Sequence, residues 1–198
     1  MASIEVLNPY SSDSIHTLEL SSNEVAFAKL EKANALYQKH PKGLSKEKRI
    51  SILEKFYEKF YEAKEALIQL AVLEGAKPLN DTEVEFNRAL EGIKLGVQAV
   101  RSIIGEQVPM NLNTASTNKL AYTIKSPIGV VLSISAFNHP INLAIHQIIP
   151  AIAAGCPVIY KPALTTPLVS KKIIELIYDS GLPREWCTYL VCENETTA

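Results

Sequence analysis

No two glycines in this chain lie two residues apart, so the dinucleotide fingerprint G-x-G-x-x-G cannot be written on it. Neither can a phosphate loop. Cysteine is scarce. Cys156, Cys187 and Cys192 are the three present, and their spacing matches neither a disulfide framework nor a zinc site. An excess of one charge is also missing: the formal net charge is −1, and no basic stripe offers a footprint for nucleic acid. No apolar run reaches the roughly 18 residues a membrane helix needs. The stretch from Val130 to Val158 comes nearest, but Asn138, His139, Asn142, His146, Pro140 and Pro150 interrupt it. The opening MASIEVLNPYSS has neither the basic segment nor the apolar core of a secretory signal. These absences predict a cytoplasmic chain with reduced thiols, no metal, no nucleic-acid partner and no membrane contact.

What is present is ordinary in bulk, with 47% apolar residues among 198, enough for one domain or two small ones. Ser21 with Glu24 reads as a capping box that starts a helix running to about Tyr37. His40-Pro41-Lys42-Gly43 breaks it. Ile50, Leu53, Phe56, Phe60, Ala63, Leu67 and Leu70 recur at three or four residues and predict one long amphipathic helix, its Lys/Glu-rich face in solvent. After a turn at Gly75 to Pro78, Asn80 with Glu83 predicts the cap of a third helix. Phe86, Leu90, Ile93, Val97, Val100 and Ile104 form its stripe, and Gly105 its end. Gly92 and Gly96 are four apart on it. Glu91, Lys94 and Arg101 exclude a membrane dimer, which leaves close packing against a neighbour. Residues 111–118 read as loop and residues 119–125 as an exposed strand.

From Ser126 the pattern changes. A buried strand, Ile128 to Ile134, runs into the loop Ser135-Ala136-Phe137-Asn138-His139-Pro140. An apolar helix follows and stops at Gly155. A second buried strand, Pro157 to Tyr160, ends on Lys161-Pro162. Thr166 as N-cap, Pro167 at N1, then Gly181 and Pro183 punctuate one more helix, and Cys187 to Cys192 a last strand. Such β-α-β units build a parallel sheet whose functional groups gather at the carboxyl ends of the strands. Asn138 sits at one such end and Lys161 at the next, an arrangement of a nucleotide-binding oxidoreductase fold. Asn138 has two reading frames. Its amide is a non-titrating double donor suited to a developing oxyanion, and it is equally a helix cap before Pro140. Lys161 is a cation at the mouth of the sheet, for a surface ion pair or a ligand. His139 is a loop residue or a substrate contact, and His146 a core histidine. The cysteines read as small buried hydrophobes.

Four motifs in order carry a resemblance: Phe137-Asn138-His139-Pro140, Pro150-Ala151-Ile152-Ala153-Ala154-Gly155, Lys161-Pro162 and Thr166-Pro167. Together they resemble the amino-terminal part of the NAD(P)-dependent aldehyde dehydrogenase superfamily. Val6 to Tyr10 with Ile15 to Leu20 is similar to its opening hairpin. The resemblance implies an α/β fold. An N-terminal helical segment with a β-hairpin (1–118) and an exposed strand (119–125) lead into the first βα units (126–198) of an incomplete Rossmann-like cofactor domain. It implies that the nucleophilic cysteine and the general base lie beyond residue 198, so the chain is expected to be a fragment, inactive alone. In the full-length enzyme, a thiohemiacetal and then a thioester would carry an aldehyde to its acid. Asn138 would be the oxyanion donor. Ile134, Ser135, Ala136, Phe137, Lys161, Ala163 and Leu164 would line the NAD or NADP site. Leu164 stands where the family commonly has a ribose-binding glutamate, which opens the choice of cofactor. His139 with Asn142 is similar to the branch acting on small polar aldehydes such as lactaldehyde or phosphonoacetaldehyde. The full-length protein is expected to be a dimer or tetramer. A non-catalytic nucleotide-binding or assembly module and a coenzyme A-acylating member remain the alternatives.

Overall fold

The computed structural model describes residues 2–197. It opens with a hairpin, β1 (Ser3–Leu7) antiparallel to β2 (Ser14–Glu19). Asn8 closes its turn by accepting from the Tyr10 and Ser11 N–H groups at 2.9 and 3.1 Å. Helix α1 (Asn23–Lys39) is capped by Ser22, whose hydroxyl accepts from the Val25 N–H, not by Ser21. The Ser21 N–H is committed elsewhere, to the Val191 carbonyl at 2.7 Å, and so is part of the tie between hairpin and sheet.

The expected single long helix is two, α2 (Lys46–Glu62) and α3 (Lys64–Gly75), broken at Ala63 with ψ near 7°. The apolar spacing continues across the break. A change in one backbone angle leaves no mark on a side-chain pattern, so periodicity reads straight through it. Helix α4 (Leu79–Ser102) starts after Pro78, with Asn80 already inside the first turn. It ends three residues before Gly105. That glycine serves a close approach instead, since a Cβ there would lie 1.8 Å from the Thr123 carbonyl oxygen. Gly92 and Gly96 do pack closely. A Cβ on Gly96 would meet Ile149 Cγ2 at 2.3 Å, and one on Gly92 would meet Ile145 Cγ2 at 3.2 Å.

The expected strand over 119–125 shrinks to β4 (Ala121–Tyr122), paired with β3 (Gln107–Val108). Past it, the Thr123 N–H still reaches the Glu106 carbonyl, while Leu120, Tyr122 and Ile124 stay exposed.

The remaining strands are parallel in the order β5-β6-β7: β5 (Val131–Ile134), β6 (Val158–Lys161) and β7 (Cys187–Tyr189). Helices α5 (Pro140–Ala154) and α6 (Pro167–Asp179) cross between them. Apolar side chains of α2 to α6 form the main core with Val158, Tyr160 and Cys187 of the sheet. The opposite side is covered by α1, where Ala33 packs with Ile159, Leu190 and Cys192. The fold class expected from sequence is the one seen, though its strands are shorter. The expected first buried strand, from Ile128, begins at Val131, and it is not buried throughout. Leu132 is 48% and Ile134 51% exposed, because β5 is an edge paired on one side by β6.

Candidate functional site

The parallel register sets Ile134 opposite Lys161, so the two carboxyl ends expected to carry function are neighbours. The Ser135 N–H donates to the Lys161 carbonyl at 2.9 Å, and Gln147 Nε2 on α5 donates to the Ile134 carbonyl at 3.0 Å. Ser135 is buried. Ala136, Phe137 and Asn138 then rise into solvent. Pro140 opens α5 and has no N–H to satisfy. The next two N–H groups, of Ile141 and Asn142, both donate to Glu85 Oε1 at 2.7 and 2.8 Å. A buried carboxylate from α4 therefore caps α5, and it also suits the positive end of the helix dipole. Asn138 is not the cap. His139 occupies the N-cap position without a side-chain capping bond, and the Asn138 amide is tied to no other side chain or backbone group among the described residues. Its two N–H donors stand free at the carboxyl end of β5.

The second oxygen of Glu85 pairs with Lys77, and Lys77 Nζ lies 2.7 Å from His139 Nδ1. Neither Lys77 nor Glu85 was among the residues singled out from sequence. A signal existed: Glu85 falls on the apolar stripe of α4, between Thr82 and Ala89, where an unpaired carboxylate would be costly. Glu74 repeats the device at α6. Its two oxygens accept from the Leu168 and Val169 N–H groups at 2.8 Å each. Burial pushes its carboxyl up to about 7, against the pull of those two donors. Thr166 does take the expected N-cap position of α6, but its hydroxyl is buried without a partner because Glu74 has the N–H groups.

Lys161 is not at the mouth in solvent; it is 2% exposed, and its Nζ donates to Asn194 Oδ1 at 2.9 Å. Ala163 and Leu164 are half-buried, Leu164 against Val6, Leu18 and Val191. Asn142 is buried with Oδ1 unpartnered. His146, expected in the core, is exposed; its ring lies against Gly92 of α4, beside the Ile145 contact. All three cysteines are buried; burial pushes the Cys187 thiol up to about 12 and raises that of Cys192. No group of acidic, histidine or cysteine side chains among the described residues has the makings of a metal site. On the α1 face of the sheet an apolar cleft of about 280 Å³ runs between Ala26, Phe27 and Leu30 on one side and the strand residues Leu132 and Ile159, with Leu190 just past β7, on the other.

The whole chain, residues 1–198, matches the family model described as the aldehyde dehydrogenase family. The chain belongs to the aldehyde dehydrogenase family. It is 33% identical over 186 residues to a 3-sulfolactaldehyde dehydrogenase of Priestia aryabhattai, covering 91% of this chain and 37% of that protein. Against a lactaldehyde dehydrogenase of Methanocaldococcus jannaschii the identity is 32%, over 88% of this chain and 36% of the relative. A solved glyceraldehyde-3-phosphate dehydrogenase from the same archaeon, complexed with NADP, superimposes with a TM-score of 0.89 at 30% identity, over 97% of this chain and 41% of that one. Aldehyde dehydrogenase 21 of Physcomitrella patens superimposes at 0.92 with 26% identity, over 99% and 41%. The chain thus spans less than two-fifths of the length of the two relatives matched by sequence, and about two-fifths of the two solved structures. No described helix is long and apolar enough to cross a membrane.

Proposed function

We propose that this chain supplies the oxyanion donor and part of the cofactor crevice of an NAD(P)-dependent aldehyde dehydrogenase acting on a small polar aldehyde. The observation that carries this reading is the free Asn138 amide. Glu85 satisfies the N–H groups that Asn138 would otherwise cap, so both Asn138 donors are left for a ligand. When a nucleophile attacks an aldehyde, charge develops on the carbonyl oxygen, and a fixed neutral amide aimed there stabilises it without a proton of its own to lose. The buried cysteines make poor nucleophiles, so the attacking thiolate and its base would come from residues beyond this sequence.

The residues suit a dinucleotide. The Ser135 hydroxyl and Lys161 ammonium at adjacent strand ends are of the kind that bind ribose hydroxyls, and the cleft by Leu132 and Ile159 is apolar. Bound nicotinamide would supply the hydride acceptor. The NADP complex of a structural neighbour supports that assignment. Buried free thiols suit a reducing, cytoplasmic setting, and the intact protein is read as a dimer or tetramer.

The test is Asn138→Ala in the enzyme that carries this chain. We expect kcat to fall by roughly a hundred- to a thousand-fold, the cost of one oxyanion donor, with cofactor Kd nearly unchanged. A variant that keeps most of its kcat rejects the assignment.

A further inference from the structure

His139 follows Asn138 directly, and its ring is 42% exposed. Its Nδ1 edge is turned inward, 2.7 Å from Lys77 Nζ. An ammonium has three donors and no lone pair. In that contact Nδ1 can only accept, so the ring proton belongs on Nε2. Glu85 Oε2 lies 3.6 Å from the same Nδ1, beyond hydrogen-bond reach. A carboxylate facing an imidazole ordinarily draws a proton onto the near nitrogen; here Lys77 stands between the two and reverses that preference. The lysine is itself held. Its side chain is 12% exposed and paired with a carboxylate that is fully buried and fixed, through its other oxygen, by two N–H groups of α5. The helix end, Glu85, Lys77 and His139 thus form one chain of directed bonds. Its Lys and Glu charges offset each other.

We propose that Lys77 and Glu85 are positioning residues that hold His139 as its neutral Nε2–H tautomer. That tautomer presents one N–H donor next to the Asn138 amide, for the hydroxyl of a 2-hydroxyaldehyde. This rests on the reading of Asn138 as the oxyanion donor. A neutral donor in a charge-balanced setting suits a neutral hydroxyl; an anionic substituent would be better met by a cation free to pair with it. Asn138 would engage the aldehyde oxygen while His139 engages the oxygen one carbon away.

The tautomer is read directly by magic-angle-spinning NMR of the chain labelled with 13C and 15N at histidine, a measurement indifferent to particle size. Four histidines are present, and His139→Gln assigns the signal. Near neutral pH the His139 ring should show a protonated Nε2 and a bare Nδ1. Lys77→Met should convert it to Nδ1–H or to a mixture, while Lys77→Arg, which keeps a donor, should retain Nε2–H. A wild-type ring protonated on Nδ1, averaged tautomers, or a signature unchanged in Lys77→Met would overturn the proposal. In the enzyme that carries this chain, His139→Phe and Lys77→Met should each lower the kcat/KM ratio of lactaldehyde over propanal by about tenfold, one hydrogen bond's worth. An unchanged ratio would count equally against it. Asn138→Ala should depress both substrates alike, so failure of the oxyanion reading and failure of the His139 reading give different patterns.

Discussion

Leu164 shows how a single side chain bears on the cofactor. A glutamate there would accept from a ribose 2′-hydroxyl and repel a 2′-phosphate; the leucine does neither, and it spends part of its surface on the hairpin residues Val6 and Leu18. Lys161 nearby donates to the Asn194 side-chain oxygen, a neutral partner that a phosphate would outcompete. We expect the enzyme carrying this chain to use NADP at least as well as NAD, measured as kcat/KM for each. Leu164→Glu should swing the ratio toward NAD. A preference for NAD beyond about a hundred-fold, some 2.7 kcal/mol, that Leu164→Glu leaves unchanged would reject this. At this scale the sequence located the two strand ends, through Lys161-Pro162 and the loop before Pro140, but not the surroundings of their side chains: Lys161 is buried against Asn194, and Asn138 does not cap α5. It was silent on Lys77 and Glu74, and for Glu85 it offered only a charge on an apolar stripe, because a buried carboxylate and a solvated one are the same letter. Only the partners, which lie on elements remote in the chain, distinguish them.

At the scale of elements, both crossover helices of the sheet begin against a carboxylate lent by the helical layer. Glu85 serves α5 and Glu74 serves α6. The β-α-β order was legible because strand and helix periods differ and proline and glycine mark the joints. The caps were misplaced where local capping patterns, at Ser21 and Asn80, competed with longer-range partners or an adjacent proline. Glu74 gives the capping a measurable signature. The unfolded chain releases this proton near 4.5, the folded one near 7. Between those values the folded state binds more protons, so stability is full below the unfolded value, declines as pH rises through 7, and then levels off. The linkage amounts to about 3 kcal/mol at about 1.4 kcal/mol per unit. Urea midpoints from about pH 5 to about pH 8 should therefore fall in the wild type. In Glu74→Gln, which keeps an oxygen for one N–H but cannot ionise, they should be flat. A flat wild-type profile would show that the two N–H donors outweigh the burial.

At the scale of the whole molecule, the helical layer is well sealed and the sheet is not. Phe56, Phe60, Phe86 and Ile93 are fully buried, whereas Leu132 and Ile134 on β5 are about half exposed and Ile128 is 88% exposed. Across the hairpin of β3 and β4, Leu120 and Ile124 are 71% and 86% exposed. The free side of β5 offers unpaired backbone groups in line with these apolar side chains, a template for another strand. Parallel sheets are ordinarily covered on both faces and flanked by further strands. The chain on its own should therefore self-associate as concentration rises, seen as a growing scattering mass, and it should leave aldehydes unoxidised in the presence of NAD or NADP, since its thiols are buried. Lysine at Leu132 and Ile134 together would place charge along that edge and should shift the association midpoint upward by at least about tenfold, the equivalent of 1.4 kcal/mol, while leaving the far-UV helix signal intact. A wild-type chain that scatters as a monomer at every concentration would mean that the β5 edge is guarded by its neighbours in a way the half-exposed Leu132 and Ile134 do not show.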